Sequence, residues 1–375
     1  MSRPTYAEID LSAIDKNIKN ILNQTRPAAV MAVVKANGYG HGALEVSKQA
    51  LESGAQYLAV ALPEEGIALR KNSISAPILV FAGLFPDQAD VLVKHELEAT
   101  VYTPEQLQAL TRAAAKNEKT AVLHIKVDTG MGRVGVPWQN ALAFIRKAQN
   151  HPHVRIQGLY THFATSDEKD KTYAYLQLDR FQSVVEECRQ AKIKIPVIHT
   201  ANSGAILDIP ESYFDMVRPG VMMYGYYPSP DTTESIEIHP AMTLQTQVLH
   251  IKTVPQDTYI SYGRLYRTRE STRIATLPIG YADGYNRALT NKAEALIRGT
   301  RYPVVGRVCM DLIMVDVGNN NEISVGDPVV LYGQQGSETI SIQDVASKLG
   351  TIPYEVTCWI SNRVPRLYKH YQEDL

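Results

Sequence analysis

Ala29-Val30-Met31-Ala32-Val33-Val34-Lys35-Ala36-Asn37-Gly38-Tyr39-Gly40-His41-Gly42 begins with six apolar residues and ends with three glycines in five positions. An unbroken apolar run of this length reads as a strand buried on both faces, the kind found in parallel sheets. Lys35 closes it, so an ammonium sits at the end of a buried element. The glycines let the backbone turn sharply or approach a ligand closely. Partial desolvation favours the neutral amine, the form in which lysine makes a Schiff base with a carbonyl compound.

Working outward, short apolar runs recur at about 29–35, 57–62, 78–82, 98–102, 121–127, 155–162, 195–200 and 214–218. Helical spacing fills the gaps, as in Ala43–Leu51 and Pro63–Arg70. Thr103-Pro104-Glu105-Gln106-Leu107 places a threonine N-cap before a proline at the first helical position. Eight strand–helix units in order predict a (β/α)8 TIM-type barrel. A doubly wound open sheet is the rival, but it calls for fewer units and a nucleotide fingerprint.

The rhythm changes after Tyr227. Pro228-Ser229-Pro230-Asp231-Thr232-Thr233-Glu234 is a polar linker, and Thr243–Ile251 then alternates like a half-buried antiparallel strand. One helix is expected from Ser341 to Leu349. The division is therefore 1–234, a barrel, and 235–375, a mostly β C-terminal domain.

Bulk properties narrow the class. A net charge of -1 argues against a nucleic-acid or anionic-membrane partner. Met1-Ser2-Arg3-Pro4-Thr5-Tyr6 runs into charged residues without the apolar stretch of a signal peptide. No apolar segment approaches membrane-spanning length. Cys188, Cys309 and Cys358 are far apart, which suggests a reducing, cytoplasmic setting. The histidines show no zinc spacing, so no metal is expected. Asp128-Thr129-Gly130-Met131-Gly132-Arg133 lacks the lysine-serine/threonine ending of a phosphate loop.

Barrel enzymes work at the carboxyl ends of their strands. That rule collects Lys35, Lys126, Asp128, Arg133, His162, Asn202, Ser203 and Arg218 on one rim. Ser203-Gly204 and Gly220-Val221 follow strands seven and eight, the usual phosphate site of such barrels. Each residue has a plainer alternative. His162 could be a satisfied core histidine, Arg218 could pair with Asp215, and Ser203 could cap a helix. Together with a Schiff-base lysine, they point to a phosphorylated aldehyde, with pyridoxal 5'-phosphate the obvious candidate.

The ordered set of motifs resembles bacterial alanine racemase, a fold-type III pyridoxal-phosphate enzyme, over nearly the whole chain. The motifs are Val33–Gly42, Asp128–Arg133, Thr161-His162-Phe163-Ala164, His199–Ser203, Val217-Arg218-Pro219-Gly220, Ser261-Tyr262-Gly263, Ile279–Gly284 and Cys309-Met310-Asp311. The resemblance implies a head-to-tail homodimer with shared sites. It also implies that the first strand joins the C-terminal domain, which leaves residues 1–10 open to that assignment. Lys35 would hold the cofactor and move a proton on one face of the substrate α-carbon. Tyr262 of the partner subunit would serve the other face. A phenol is a poor base at neutral pH, with an ordinary pKa of about 10. Positive charge from His162 and Arg218 is expected to help it.

By the same resemblance, Tyr39, Ser203, Gly220 and Tyr354 contact the phosphate. Asn202 and Val221 complete the cofactor shell. Arg133 approaches the cofactor's phenolic oxygen and the substrate carboxylate. Met310 of the partner subunit offers a backbone N–H to that carboxylate, and Tyr281 narrows the entrance. Lys126 matches a position that is often carbamylated. Arg218 faces the pyridine nitrogen, where related decarboxylases place a glutamate, and so favours racemisation. The implied activity interconverts L- and D-alanine and supplies D-alanine for peptidoglycan. Alternatives are a racemase of serine or of broader amino-acid specificity on the same scaffold, or a non-catalytic pyridoxal-phosphate-binding protein. Ser261-Tyr262-Gly263 counts against the last.

Overall fold

The structure, a computed structural model, describes residues 3–370. Met1 and Ser2 of the N-terminal segment lie outside the described residues. Eight strands alternate with helices: β1 (Ala29–Val33), β2 (Tyr57–Val60), β3 (Ile78–Val80), β4 (Glu98–Val101), β5 (Ala121–Asp128), β6 (Val154–Tyr160), β7 (Val197–His199) and β8 (Met216–Val217). Neighbours pair in parallel in the order β4-β3-β2-β1-β8-β7-β6-β5, and β4 pairs with β5 to close the barrel. The eight-fold barrel expected from the apolar runs is present. The runs work because each strand is covered on both sides: Val30, Ala32, Leu58, Leu79 and Val101 are all fully buried.

Helix starts follow local chemistry. Pro104–Lys116 opens on Thr103, whose hydroxyl accepts from the Gln106 N–H at 3.3 Å. The Gln106 side chain accepts from the Thr103 N–H at 3.2 Å, a reciprocal capping box.

The lysine segment departs from a simple strand end. β1 stops at Val33, and Lys35 begins a turn instead of ending the strand. Ala36 (φ 52°), Asn37 (φ 53°), Gly38 (φ 61°) and Tyr39 (φ 51°) then take left-handed conformations in succession. Non-glycine residues bear about 1–2 kcal/mol each in this region. Side-chain acceptors help to hold the turn: the Ala36 N–H donates to Glu65 at 2.6 Å, and the Ala43 N–H donates to Asn37 at 3.0 Å.

The chain divides into two compact units. One holds Ile14–Gly38 and Ala43–His239. The other holds residues 3–13, Tyr39–Gly42 and residues 240–370. The second unit is mostly β. Its long sheet carries Met242–Gln247 beside Tyr6–Asp10, and Tyr6–Asp10 beside Arg366–Lys369. The alternating run 243–251 is two strands, not one. Met242–Gln247 pairs with Pro328–Gln335, whereas His250–Val254 pairs with Thr272–Leu277. Between them, the Val248 N–H bonds the Asp327 carbonyl and the Leu249 N–H bonds the Thr276 carbonyl, so the chain changes partner there. The expected helix is Ile342–Leu349, capped by Ser341. A second helix, Pro353–Cys358, has proline at its first turn.

Candidate active site

Five cationic or titratable groups converge at the carboxyl end of the barrel. Lys126, on β5, is only 4% exposed. Its pKa is pushed down to about 8, first by burial and then by the charges of Arg133, Arg218 and Lys35, with Asp128 opposing. His162, just past β6, lies well below the ordinary histidine range for the same reasons: burial, then Arg218, Lys126, Arg133 and Lys35. The strand-end rule therefore gathered residues that do act on one another.

Arg218 follows β8 and is 3% exposed. Burial lowers its pKa to about 10, which leaves it charged at neutral pH. Its Nη1 donates to His199 Nδ1 at 3.0 Å. Its Nη2 donates to the carbonyls of Thr161 (2.8 Å) and Thr200 (2.9 Å), with a longer contact to His162 Nδ1 at 3.3 Å. The Nε–H has no hydrogen-bond partner among the described residues. Asp215 is not the partner of Arg218: its carboxylate accepts from the Ile198 N–H at 2.7 Å.

An arginine can only donate, so His162 Nδ1 accepts and its proton sits on Nε2. Burial beside so many cations holds His162 neutral, so it contributes an N–H donor and no positive charge.

On the next loop, Asn202 is the helix cap, not Ser203. The Asn202 side chain accepts from the Ala205 N–H at 3.1 Å and from the Ser166 hydroxyl at 2.7 Å. Ser203 is released from capping, and its Oγ accepts from the Gly220 N–H at 3.0 Å, tying the loops after β7 and β8 together. Val221, 1% exposed, starts the turn that follows.

The β unit carries the remaining candidates. Tyr39 and Tyr354 bring their rings to 5.9 Å at 49°. The Tyr281 N–H donates to the Cys309 carbonyl and the Ala282 N–H to the Met310 carbonyl, each at 3.0 Å. The Ser261 hydroxyl donates to the Arg307 carbonyl at 2.7 Å and lies 3.4 Å from Cys309 Sγ. The loops bearing Tyr262, Tyr281 and Met310 thus meet. Their side chains stand in solvent, with Tyr262 72% exposed, Met310 52% and Tyr281 42%.

Three residues of the barrel interior had no role in the sequence reading: Glu98, His124 and His199. All three are buried. Their signal is faint, one polar side chain among the short runs that form three barrel strands. Tyr160 stacks on His199 with centroids 4.8 Å apart and lies under Arg218 at 5.3 Å.

Comparisons with known proteins identify the family. The family described as alanine racemase, N-terminal domain, matches residues 9–228, and alanine racemase, C-terminal domain, matches residues 241–368. The alanine racemases of Halothermothrix orenii and Methanococcus maripaludis are each 47% identical over 373 residues, covering 99% of this chain and 98% and 100% of theirs. The solved alanine racemase of Clostridium difficile superposes with a TM-score of 0.95 at 39% identity, covering 100% of this chain and 97% of that one. The Bacillus anthracis enzyme, solved with bound L-Ala-P, gives 0.93 at 38% identity, covering 99% and 96%. The chain is an enzyme of the isomerase class and belongs to the alanine racemase family.

Proposed function

We propose that this chain interconverts L- and D-alanine with pyridoxal 5'-phosphate, as a homodimer whose sites draw residues from both subunits. The observation that carries this is the cluster of Lys35, Lys126, Arg133 and Arg218, in which Lys126 and Arg218 are buried and the other charges press on Lys126. Such a cluster suits an anionic ligand. The donor set fits the cofactor in particular. An orphan Nε–H on a 3% exposed arginine suits a ring nitrogen acceptor. The Ser203–Gly220 junction suits a phosphate.

When bound, pyridoxal phosphate would supply a carbonyl that condenses with amines and a ring that spreads the charge left at the substrate α-carbon. Lys35 would hold it and move a proton on one face. Tyr262 of the partner subunit would move one on the other face, which fits its exposure within a single chain. Arg218 stays protonated and only donates, so the pyridine nitrogen it meets would remain an acceptor and the ring a weaker electron sink. Arg133, and Met310 of the partner subunit, would bind the substrate carboxylate.

Lys126 is a candidate for carbamylation. With a pKa near 8, an appreciable fraction of its amine is neutral at neutral pH and able to add carbon dioxide, losing a proton to become an anion beside Arg133. The D-alanine formed would serve peptidoglycan, and the separated thiols suit a cytoplasmic location. Cycloserine, bound by the Clostridium difficile relative, is expected to bind here.

The test is direct. Purified holoenzyme is offered alanine, serine and larger amino acids, and borohydride-reduced protein is peptide-mapped. Alanine racemisation above all others, with the label on Lys35, is expected. Preference for serine, or label on another lysine, would overturn the corresponding part.

A further inference from the structure

Glu98, His124, His199 and Arg218 form one hydrogen-bonded chain through the barrel. Glu98 is the first residue of β4, at the amino-terminal rim, and Arg218 follows β8 at the opposite rim. His124 Nε2 lies 2.8 Å from Glu98 Oε2, His124 Nδ1 lies 2.9 Å from His199 Nε2, and Arg218 Nη1 lies 3.0 Å from His199 Nδ1. Both imidazoles are fully buried.

The two ends fix every proton between them. Arg218 can only donate, so His199 Nδ1 must accept and its proton must sit on Nε2. That proton points at His124 Nδ1, which must also accept. The His124 proton then sits on Nε2 and is donated to the Glu98 carboxylate. The reverse direction would set two N–H groups face to face at Arg218. Both rings are therefore neutral Nε2–H tautomers.

The fold makes room for this chain. Gly158 on β6 stands opposite His124, and a Cβ there would come within 2.0 Å of the ring. The β5–β6 register shifts between Leu123 and His124, an irregularity that re-aims the side chain.

We propose that Glu98 is a positioning residue for the reaction: through His124 and His199 it sets the acceptor that orients the Arg218 guanidinium at the far rim. This rests on the role of Arg218 proposed above, but the proton arrangement can be read without it. A guanidinium held by the Thr161 and Thr200 carbonyls on Nη2 and by His199 on Nη1 has only its remaining edge to offer a ligand. Loosening the His199 contact would let the plane tilt.

The experiment uses selectively 15N-histidine-labelled protein without cofactor, with the two rings assigned by loss of signal in His124→Gln and His199→Gln. Each ring is expected to show one protonated Nε2 and one bare Nδ1 at pH 7. In Glu98→Leu, which removes the acceptor, Arg218 still fixes both tautomers, and the His124 Nε2 resonance is expected to move away from its hydrogen-bonded position in the parent protein. In the loaded enzyme, kcat for alanine is expected to fall about tenfold with KM within about twofold, in the range of other supporting-shell losses. Glu98→Gln, whose carbonyl can still accept, is expected to restore that resonance and most of kcat. An Nδ1–H or doubly protonated ring in the parent protein would overturn the proposal, as would an unchanged His124 Nε2 resonance in Glu98→Leu. A folded Glu98→Gln protein without recovery would also overturn it. If Glu98→Leu fails to fold, the parent spectrum and Glu98→Gln still decide. Normal tautomers in a protein that racemises nothing would instead count against the assigned activity.

Discussion

The barrel interior and the exposed loops of the β unit hold opposite kinds of functional residue. Around Arg218 the side chains are buried, donor meets acceptor, and one tautomer satisfies each ring. Around Tyr262, Tyr281 and Met310 the backbone is tied down while the side chains face solvent. The first region is preorganised by its own chain. The second ties its backbone together and leaves its side chains in solvent, as the proposed shared site would require.

The comparison is sharpest where one residue from each region is removed. Lys35→Ala and Tyr262→Phe are each expected to lower kcat by about 10²–10⁴-fold, the span of acid–base catalysis. Mixed under subunit exchange, the two variants should regain activity, because each heterodimer has one intact site. Lack of recovery despite proven exchange would place both residues in one chain. Arg218→Lys keeps the charge but loses the planar fork. A kcat loss on the order of 10²-fold is expected, as for a misplaced positioning group. A near-normal kcat would show that charge alone suffices.

Gly158→Ala tests the packing of the buried region. The added methyl would overlap His124, so urea unfolding should show a loss of about 1–3 kcal/mol. Titration should separate the regions as well. His162 and His199 are held neutral, in both cases by burial first and then by the charge of Arg218. Unfolding frees both to bind protons near the ordinary pKa of about 6.5, so the unfolded state gains protons as pH falls. Stability of the cofactor-free protein should decline below that pH, with a slope that drops by up to about one proton in His199→Gln. The smallest effect belongs to the exposed loops. Met310→Ser and Tyr281→Ser should change stability by no more than about 0.5 kcal/mol while altering catalysis.

The legible part of the molecule was the part written in runs and edges. Six apolar residues before Lys35 implied a two-sided strand, and the strand-end rule then found Lys126, His162 and Arg218. Thr103-Pro104 and Ser341 announced their helices by side-chain chemistry. The interior chain was hidden because it breaks that grammar. His124 and His199 sit inside strands, where a polar residue reads as noise until its partner across the barrel is known. The left-handed turn was equally hidden at Ala36, since alanine does not announce a positive φ, whereas Asn37 is a residue type that tolerates one. The division of Thr243–Ile251 into two strands depends on Asp327 and Thr276, which are distant in sequence.

The pairing of Tyr6–Asp10 also sets a timetable for synthesis. Ala7 pairs with Leu244 on one side and with Arg366 on the other. A ribosome adding about 5–20 residues per second would expose Tyr6–Asp10 roughly 20–70 s before Arg366–Lys369 emerges. Through that interval the barrel strands can assemble in order behind it, while Tyr6–Asp10 lacks its Arg366–Lys369 neighbour. The nascent chain must therefore keep one apolar edge, Ala7 and Ile9, from finding substitutes until Arg366–Lys369 has been made. Truncation near the C-terminus would leave that edge bare and should favour aggregation during synthesis over loss of the barrel itself.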